Sequence, residues 1–129
     1  MEQIEDIKVK FLAENPELLN SISEQNLKHL VINNIRITLK KFKKDNPEFK
    51  DVKFSVVRDG YSCVRISWHD GPTQEIINNL LDKFEAGHFD GMIDCYEFKT
   101  GEARIFGDLF GNIQYLFCYR HLEKAQDET

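Results

Sequence analysis

The chain contains little of what marks a secreted, membrane-spanning or disulfide-stabilised protein. Three of its 129 residues are cysteine, Cys63, Cys95 and Cys118, and no two of them form a CxxC pair. Because the cysteines are odd in number, widely spaced and in apolar contexts, they indicate reduced, buried thiols. No apolar run approaches the roughly 20 residues of a membrane span, and the acidic N-terminus lacks the apolar core of a signal peptide. We therefore expect a cytoplasmic protein with no membrane partner.

The short motifs of several enzyme classes are also missing. The sequence has no Walker loop, no GxGxxG and no HExxH, so nucleotide binding and metalloprotease chemistry have no support. Cys118 and His121 are the nearest thiol–imidazole pair. Because they are three residues apart on a predicted strand, they point to opposite faces. These observations favour a non-enzymatic protein without a cofactor.

What is present is the composition of a folded domain. Hydrophobic residues make up 41% of the chain and aromatic residues 12%, which is typical of a globular protein. The length predicts a single domain over residues 1–129. We expect an N-terminal arm or short helix at 1–20, the core at 21–121 and a frayed tail at 122–129.

Charge is unevenly distributed. Residues 36–53 carry seven basic and three acidic side chains, a net charge of +4. Because the whole chain has a net charge of −5, the rest of it carries −9. A basic surface of this kind can hold nucleic-acid phosphates, although lysines at a helix C-terminus also suit the helix dipole. The acidic remainder could instead mimic nucleic acid towards a basic partner. The candidate nucleic-acid surface comprises Arg36, Lys40, Lys43, Lys44, Lys50 and Lys53.

Periodicity predicts a helix and then a hairpin. Between about Ser23 and Lys44, apolar residues recur at three- and four-residue steps, and Ser21 or Ser23 can cap this helix. Two alternating segments follow, around 52–57 and 64–69. The Asp59-Gly60 pair between them is a strong hairpin signal.

A second helix is predicted from Pro72 or Thr73 to Glu85, and Gly87 is placed to end it. Its inner face is expected to comprise Ile76, Ile77, Leu80, Leu81 and Phe84. Strands are then predicted at about 93–99, 103–106 and 113–120, with a turn at Asp90-Gly91. In the last strand Ile113, Tyr115, Phe117 and Tyr119 face one side, and Leu116 and Cys118 face the other.

The order helix–strand–strand–helix–strands predicts an α+β fold. Because helices and strands do not alternate strictly, a parallel doubly wound sheet is disfavoured. We expect two helices packed on one face of a mostly antiparallel sheet of four to five strands.

The segment 68–98 resembles the large-polyvalent-protein-associated domain family, which is marked by a Trp-x-Asp-Gly-Pro strand end and a Phe-Asp-Gly-Met-Asp-like turn. The resemblance covers about residues 25–121. The matching residues are Trp68, Asp70, Gly71, Pro72, Phe84, Glu85, Gly87, Phe89, Asp90, Gly91, Met92 and Asp94.

This resemblance implies a protein of phages, plasmids or conjugative elements that helps invading DNA against host defences. It supplies no catalytic residues. The leading hypothesis is a protein in the host cytoplasm that binds and blocks a host defence component such as a CRISPR–Cas complex. Its oligomeric state is left open. The candidate partner-binding residues are Tyr61, Phe89, Asp90, Asp94, Tyr96, Glu97 and Glu102.

Two other functions remain as alternatives. The first is a nucleic-acid-binding accessory module that uses the basic 36–53 surface. The second is a metal-dependent enzyme in which Asp70, Asp90 and Asp94 hold Mg²⁺ or Mn²⁺, since hard oxygen ligands suit those ions. A structural role in turns and caps competes with the metal hypothesis, because Asp70 precedes a Gly-Pro helix entrance and Asp90 precedes a glycine.

Overall fold

The computed structural model describes residues 2–23, 29–60, 62–90 and 95–122, with the main chain alone at residues 2–3, 88–90 and 95–98. Within them the chain forms four α-helices, five β-strands and two 3₁₀-helical turns, Pro47–Phe49 and Asp82–Phe84. The helices are α1 (Glu2–Glu14), α2 (Leu30–Asp45), α3 (Gln74–Leu81) and α4 (Glu102–Phe110). The strands are β1 (Ser55–Asp59), β2 (Cys63–His69), β3 (Gly87–Asp90), β4 (Cys95–Phe98) and β5 (Tyr115–His121).

The predicted hairpin is present as β1 and β2. These strands pair antiparallel, from Ser55 opposite Ser67 to Asp59 opposite Cys63. The Asp59-Gly60 turn lies at the predicted place, which confirms the hairpin. Tyr61, in the same connection, is outside the described residues.

The sheet itself differs from the prediction. β5 pairs with β2 in parallel, which gives a three-stranded mixed sheet of order β1-β2-β5. β3 and β4 form a separate two-stranded antiparallel sheet. The chain reaches β5 only after α3, β3, β4 and α4, and a connection of that length allows a strand to enter a sheet in parallel. The α+β class is therefore confirmed, whereas the single antiparallel sheet of four to five strands is wrong.

The predicted strand at 103–106 is part of helix α4. Residues 105, 106, 109 and 110 are all apolar, and this four-residue spacing places them on one helical side. Phe106, Leu109 and Phe110 are buried, and Ile105 packs against the core. A four-residue window was too short to distinguish this helical spacing from a strand.

The expected N-terminal arm or short helix is the 13-residue helix α1. It packs against α4, where the rings of Phe11 and Phe106 meet edge to face with their centroids 5.4 Å apart. More than two helices therefore surround the core, contrary to the prediction.

The start of α2 and its predicted caps need revision. The helix is described from Leu30, and residues 24–28, on which the predicted first turn falls, are outside the described part. Ser21 does not cap the described α2, whose N-cap is His29 with no side-chain cap hydrogen bond. The Ser21 hydroxyl instead donates to the carbonyl oxygen of Asp108 at 2.8 Å. The predicted tail beyond residue 122 is also outside the described residues.

Helix α3 follows the prediction in its start and differs at its end. Thr73 is its N-cap, and the Thr73 hydroxyl accepts a hydrogen bond from the Ile76 amide at 3.3 Å. Gly87 does not end the helix but begins β3. On the predicted inner face Leu80 is only half-buried, and Ile76 is 42% exposed.

One apolar core joins the sheet to the helices. The inward side chains of β2 and β5 include Val64, Ile66 and Leu116, and α2 contributes Ile35. Trp68 is buried, and its indole N–H donates to the Pro72 carbonyl oxygen at 2.9 Å. None of the helices in the described part has the length and apolar character to cross a bilayer.

Candidate functional site

The outward face of the three-stranded sheet carries a row of three aromatic rings. Tyr115, Phe117 and Tyr119 alternate with buried residues along β5, because successive strand side chains point to opposite faces. The Tyr115 and Phe117 rings are stacked with centroids 6.2 Å apart, and the Phe117 and Tyr119 centroids are 6.5 Å apart. Phe117 and Tyr119 are 45% and 44% exposed. We call these three residues the aromatic row.

Strand pairing places further side chains beside this row. Arg65 lies opposite Phe117, and Val57 lies opposite Arg65. All three are exposed. A shallow depression of about 390 Å³ lies on this face and is lined by Ser55, Val57, Arg65, Ser67, Tyr119 and His121. The aromatic row together with Val57, Arg65 and Ser67 is called the aromatic face below.

Main-chain hydrogen bonds fix the strand that carries the row. The Tyr115 amide donates to Ser62 at 2.8 Å on the β2 side. On the other side, the Leu116 amide donates to the Glu85 carboxylate at 3.0 Å, and the Arg120 amide donates to the Gln74 side chain at 3.3 Å. Side chains therefore occupy part of the edge of β5, while its outward face stays open.

Aromatic rings, an arginine and a β-branched residue on a fixed, open face can contact a macromolecule. Tyr, Phe and Arg are enriched in the cores of protein–protein interfaces, and such residues carry much of the binding energy. Exposed rings also stack on nucleic-acid bases. The arrangement supports binding through packing.

The basic segment gathers partly into a second surface. Arg36, Lys40 and Lys43 recur at four- and three-residue steps along α2 and line one shallow groove of about 200 Å³ against Phe54 and Val56. The Arg36 guanidinium donates to the Val56 carbonyl oxygen at 3.3 Å. We call these three side chains with Phe54 and Val56 the basic groove.

The other predicted basic residues lie outside this groove. Lys44 lines a neighbouring surface with Lys40 and Lys41, and the Lys41 ammonium lies 3.8 Å from the Glu17 carboxylate. Lys50 and Lys53 are exposed on the segment that leads to β1. The structure therefore brings together half of the six predicted residues.

The predicted partner-binding residues lie mostly in and around the β3–β4 pair. The main chain of Phe89 pairs with that of Tyr96, and Asp90 and Glu97 lie in the same two strands. Their side chains, and all of Tyr61 and Asp94, are outside the described part. Glu102 is exposed in the first turn of α4, where a carboxylate suits the helix dipole.

The proposed metal ligands are not assembled by the described residues. Asp70 is an exposed turn residue with φ 54°, and its amide donates to the His121 carbonyl oxygen at 2.7 Å. Thr73, not Asp70, caps the helix that follows. Asp94 and the Asp90 side chain lie outside the described part, and within that part no three His, Cys, Asp or Glu side chains are grouped to hold a metal.

The two thiols in the described part, Cys63 and Cys118, have the environment of structural cysteines. Burial, and then the nearby Glu85 carboxylate, raises the pKa of the Cys118 thiol to about 12. Cys63 is half-buried, and its pKa is also raised, by burial and then by Asp59. Both effects reduce the thiolate fraction that a nucleophile needs. His121 is exposed whereas Cys118 is buried, as expected for opposite faces.

The aromatic row was missed as a site, although its signal was in the sequence. The alternation of residues 115–119 correctly separated outward Tyr and Phe from inward Leu116 and Cys118. Ile113, which was predicted to share the outward side, is buried before the strand begins. All three outward positions from 115 to 119 are aromatic, which distinguishes this strand from an ordinary solvent-facing one.

Residues 27–123 match the sequence profile of the family described as large polyvalent protein associated domain 29. The chain belongs to this family. The resemblance at residues 68–72 and 84–94 is thereby confirmed. Comparisons with curated proteins and with solved structures returned no match. Membership suggests a protein associated with phages or other mobile elements.

Among the described residues that carry the resemblance, four have structural roles in this large polyvalent protein associated domain: Trp68, Pro72, Phe84 and Glu85. Trp68 and Pro72 are buried and share a hydrogen bond. Phe84 is fully buried, and the neighbouring Glu85 accepts a hydrogen bond from the main chain of β5. These signature residues position the sheet and its edge, while Phe117 and Tyr119 on the outward face stay exposed.

Proposed function

We propose that this chain is a non-enzymatic protein of a mobile element that binds and blocks a component of host defence, such as a CRISPR–Cas complex. The aromatic face is the proposed contact. Family membership supports the setting, and the exposed row of Tyr115, Phe117 and Tyr119 supports binding through a packed interface. The observation that carries the proposal is the pair of rings, Phe117 and Tyr119, nearly half exposed on a sheet face fixed from both sides.

The composition of the face favours a protein partner. Rings with few rotatable bonds lose little conformational freedom on binding. Arg65, paired with Phe117 in the neighbouring strand, can donate several hydrogen bonds from a planar group. Such a mixture is typical of the central part of an interface.

The test combines capture with a defence assay. Purified CRISPR–Cas complexes are incubated with the tagged chain, and the survival of targeted phage is measured in cells that express it. We expect the native chain to bind and to raise phage survival, and Phe117→Ala with Tyr119→Ala to abolish both. Ile22→Ala, at a residue that is 69% exposed and not part of the aromatic face, is the matched control and should change neither.

Loss of both effects in the Ile22 control, or full activity of the double variant, would contradict the aromatic face as the contact. Absence of binding to every defence complex tried, together with unchanged phage survival, would reject the proposed inhibition itself.

Charge reversal at Glu97 and Glu102 tests whether acidic side chains contribute to partner binding. Glu102 is exposed in α4, and Glu97 is part of β4. If the partner presents a basic groove, Glu97→Lys with Glu102→Lys should slow association more than it speeds dissociation, because exposed charges mainly steer encounter. Unchanged association rates would assign the contact to the aromatic face alone.

Nucleic-acid binding is the second candidate, and the basic groove favours it. Arg36, Lys40 and Lys43 converge on one depression, where they could neutralise neighbouring phosphates. If this surface binds single-stranded DNA or RNA, affinity should fall steeply with salt, and Lys40→Glu with Lys43→Glu should abolish it. Lys10→Glu, at an exposed residue of α1, is the control. Nucleic-acid affinity that does not change with salt would reject this candidate. Equal affinity of the Lys40→Glu, Lys43→Glu double variant and the Lys10→Glu control would also reject it.

A further inference from the structure

We propose that His69 and His121 form an open two-histidine site for Zn²⁺ or a similar divalent transition metal. The site lies where β2 and β5 end, at one end of the aromatic face. It is separate from the three-carboxylate hypothesis and does not depend on the partner proposed above. Its argument rests on strand register, ring separation and ligand chemistry.

The register places the two imidazoles side by side. His69 and His121 are directly paired in the parallel ladder between β2 and β5. Both side chains are exposed. Their ring centroids are 5.1 Å apart, with an angle of 33° between the ring planes.

This separation matches two imidazoles that share one tetrahedral metal. Zn–N bonds are about 2.0–2.1 Å and a ring centre lies about 1 Å beyond its nitrogen, so two ligands at a tetrahedral angle have centres about 5 Å apart. The observed 5.1 Å therefore requires no movement of either strand. The proposed site requires each side chain to turn so that one nitrogen of each ring points at a common metal.

The main chain holds both histidines in place without a metal. The Asp70 amide donates to the His121 carbonyl oxygen at 2.7 Å, which continues the ladder beyond His69. On the far side of β5, the Arg120 amide donates to the Gln74 side chain. Because the two Cα positions are fixed in the folded chain and not in the unfolded one, binding should favour the fold.

The donor set selects the class of metal. Neutral imidazole suits Zn²⁺, Ni²⁺ and Cu²⁺, whereas Mg²⁺ and Ca²⁺ prefer oxygen ligands. Two protein ligands are fewer than the four of a closed structural zinc site, so water fills the other positions. Ser67 and Tyr119, paired in the preceding row of the same face, place hydroxyl groups close by.

Thermal unfolding in the presence of metal tests the site. After treatment with EDTA and buffer exchange, the full chain is titrated with ZnCl₂ or NiCl₂. We expect the Tm to rise with metal concentration and calorimetry to give one ion per chain. MgCl₂ should leave the Tm unchanged.

The histidine variants decide whether the metal is bound at this place. His69→Ala and His121→Ala should each abolish the Tm rise and reduce the calorimetric affinity at least tenfold. His29→Ala, at an exposed histidine remote in sequence from the ladder, should retain the full rise. Because both ligands are exposed, the variants should unfold like the native chain in EDTA, measured by circular dichroism.

Two outcomes would overturn the proposal. One is no zinc or nickel binding by the native chain in calorimetry. The other is undiminished binding by both His69→Ala and His121→Ala, which would place the ion elsewhere. Calorimetry of the native chain does not depend on whether any variant folds.

Discussion

Asn34 and Phe110 are joined by a buried hydrogen bond, in which the Asn34 side-chain amide donates to the Phe110 carbonyl oxygen at 2.8 Å. The same amide donates to the Leu19 carbonyl oxygen at 2.7 Å, and the Asn34 side-chain oxygen accepts from the Leu19 amide at 2.8 Å. Asn34 is fully buried. One side chain of α2 therefore ties the segment after α1 to the end of α4.

Asn34→Ala should destabilise the fold strongly. The change leaves buried main-chain groups at Leu19 and Phe110 without their partner, at a cost of about 1–3 kcal/mol for each unsatisfied group. We expect urea unfolding to show a loss of at least about 2 kcal/mol. Asn33→Ala, at the half-buried neighbouring asparagine, is the control. Equal losses in the two variants would contradict the special role of Asn34.

Leu81→Ala tests the inner face of α3. Leu81 is fully buried, whereas Leu80 is half-buried. Removal of a buried leucine side chain typically costs about 2–5 kcal/mol, so chemical denaturation should show a loss in that range for Leu81→Ala and a smaller one for Leu80→Ala. Ile76→Ala, at a 42% exposed residue, should change stability least. A reversed order of Leu80 and Leu81 would mean that the helix is rotated.

Gly111→Ala should lower the Tm far more than Gly60→Ala. Both glycines have positive φ, 91° and 78°, and alanine is strained there. A Cβ at Gly111 would also lie 2.9 Å from the main-chain nitrogen of Val31, while nothing lies within 4 Å of one at Gly60. Because both variants share the strain of positive φ, the difference between their Tm changes measures the effect of the steric clash between residue 111 and Val31 of α2. Equal changes would show that the two segments are not in contact.

Cys118 should react with iodoacetamide only when the protein unfolds. Burial raises the pKa of its thiol to about 12, so both access and the thiolate fraction are low in the native state. Cys63 is half-buried and should be labelled faster. Peptide mass mapping after timed labelling at pH 8 distinguishes the two sites, and labelling in guanidinium provides the reference. Rapid native labelling of Cys118 would contradict its burial.

Much of the local structure followed from the sequence because its causes are local. Asp59-Gly60 specified the hairpin, and alternation along residues 115–119 specified which side chains of β5 face outward. The spacing of Ile77, Leu81 and Phe84 specified the buried side of α3 and of the 3₁₀ turn that follows it. Even the family was evident from residues 68–94, among which Trp68, Pro72, Phe84 and Glu85 proved to have structural roles.

The incorrect predictions concern contacts between residues that are far apart in the sequence. Whether β5 enters the sheet parallel or antiparallel depends on the path of the long connection from β2. Whether residues 102–110 form a helix or a strand depends on the apolar surface against which they pack, which includes Phe11 from the opposite end of the chain.

The sequence by itself determined the α+β class, the hairpin, the burial of Ile77 and Leu81 in α3, and the family. Only the tertiary structure placed Tyr115, Phe117 and Tyr119 on an open sheet face, gathered Arg36, Lys40 and Lys43 into one groove, and brought His69 beside His121. The physical reason is that periodicity records which face of an element is buried. Contacts between elements depend on the direction and register with which they pair, and residues 69 and 121 become neighbours only through the parallel ladder.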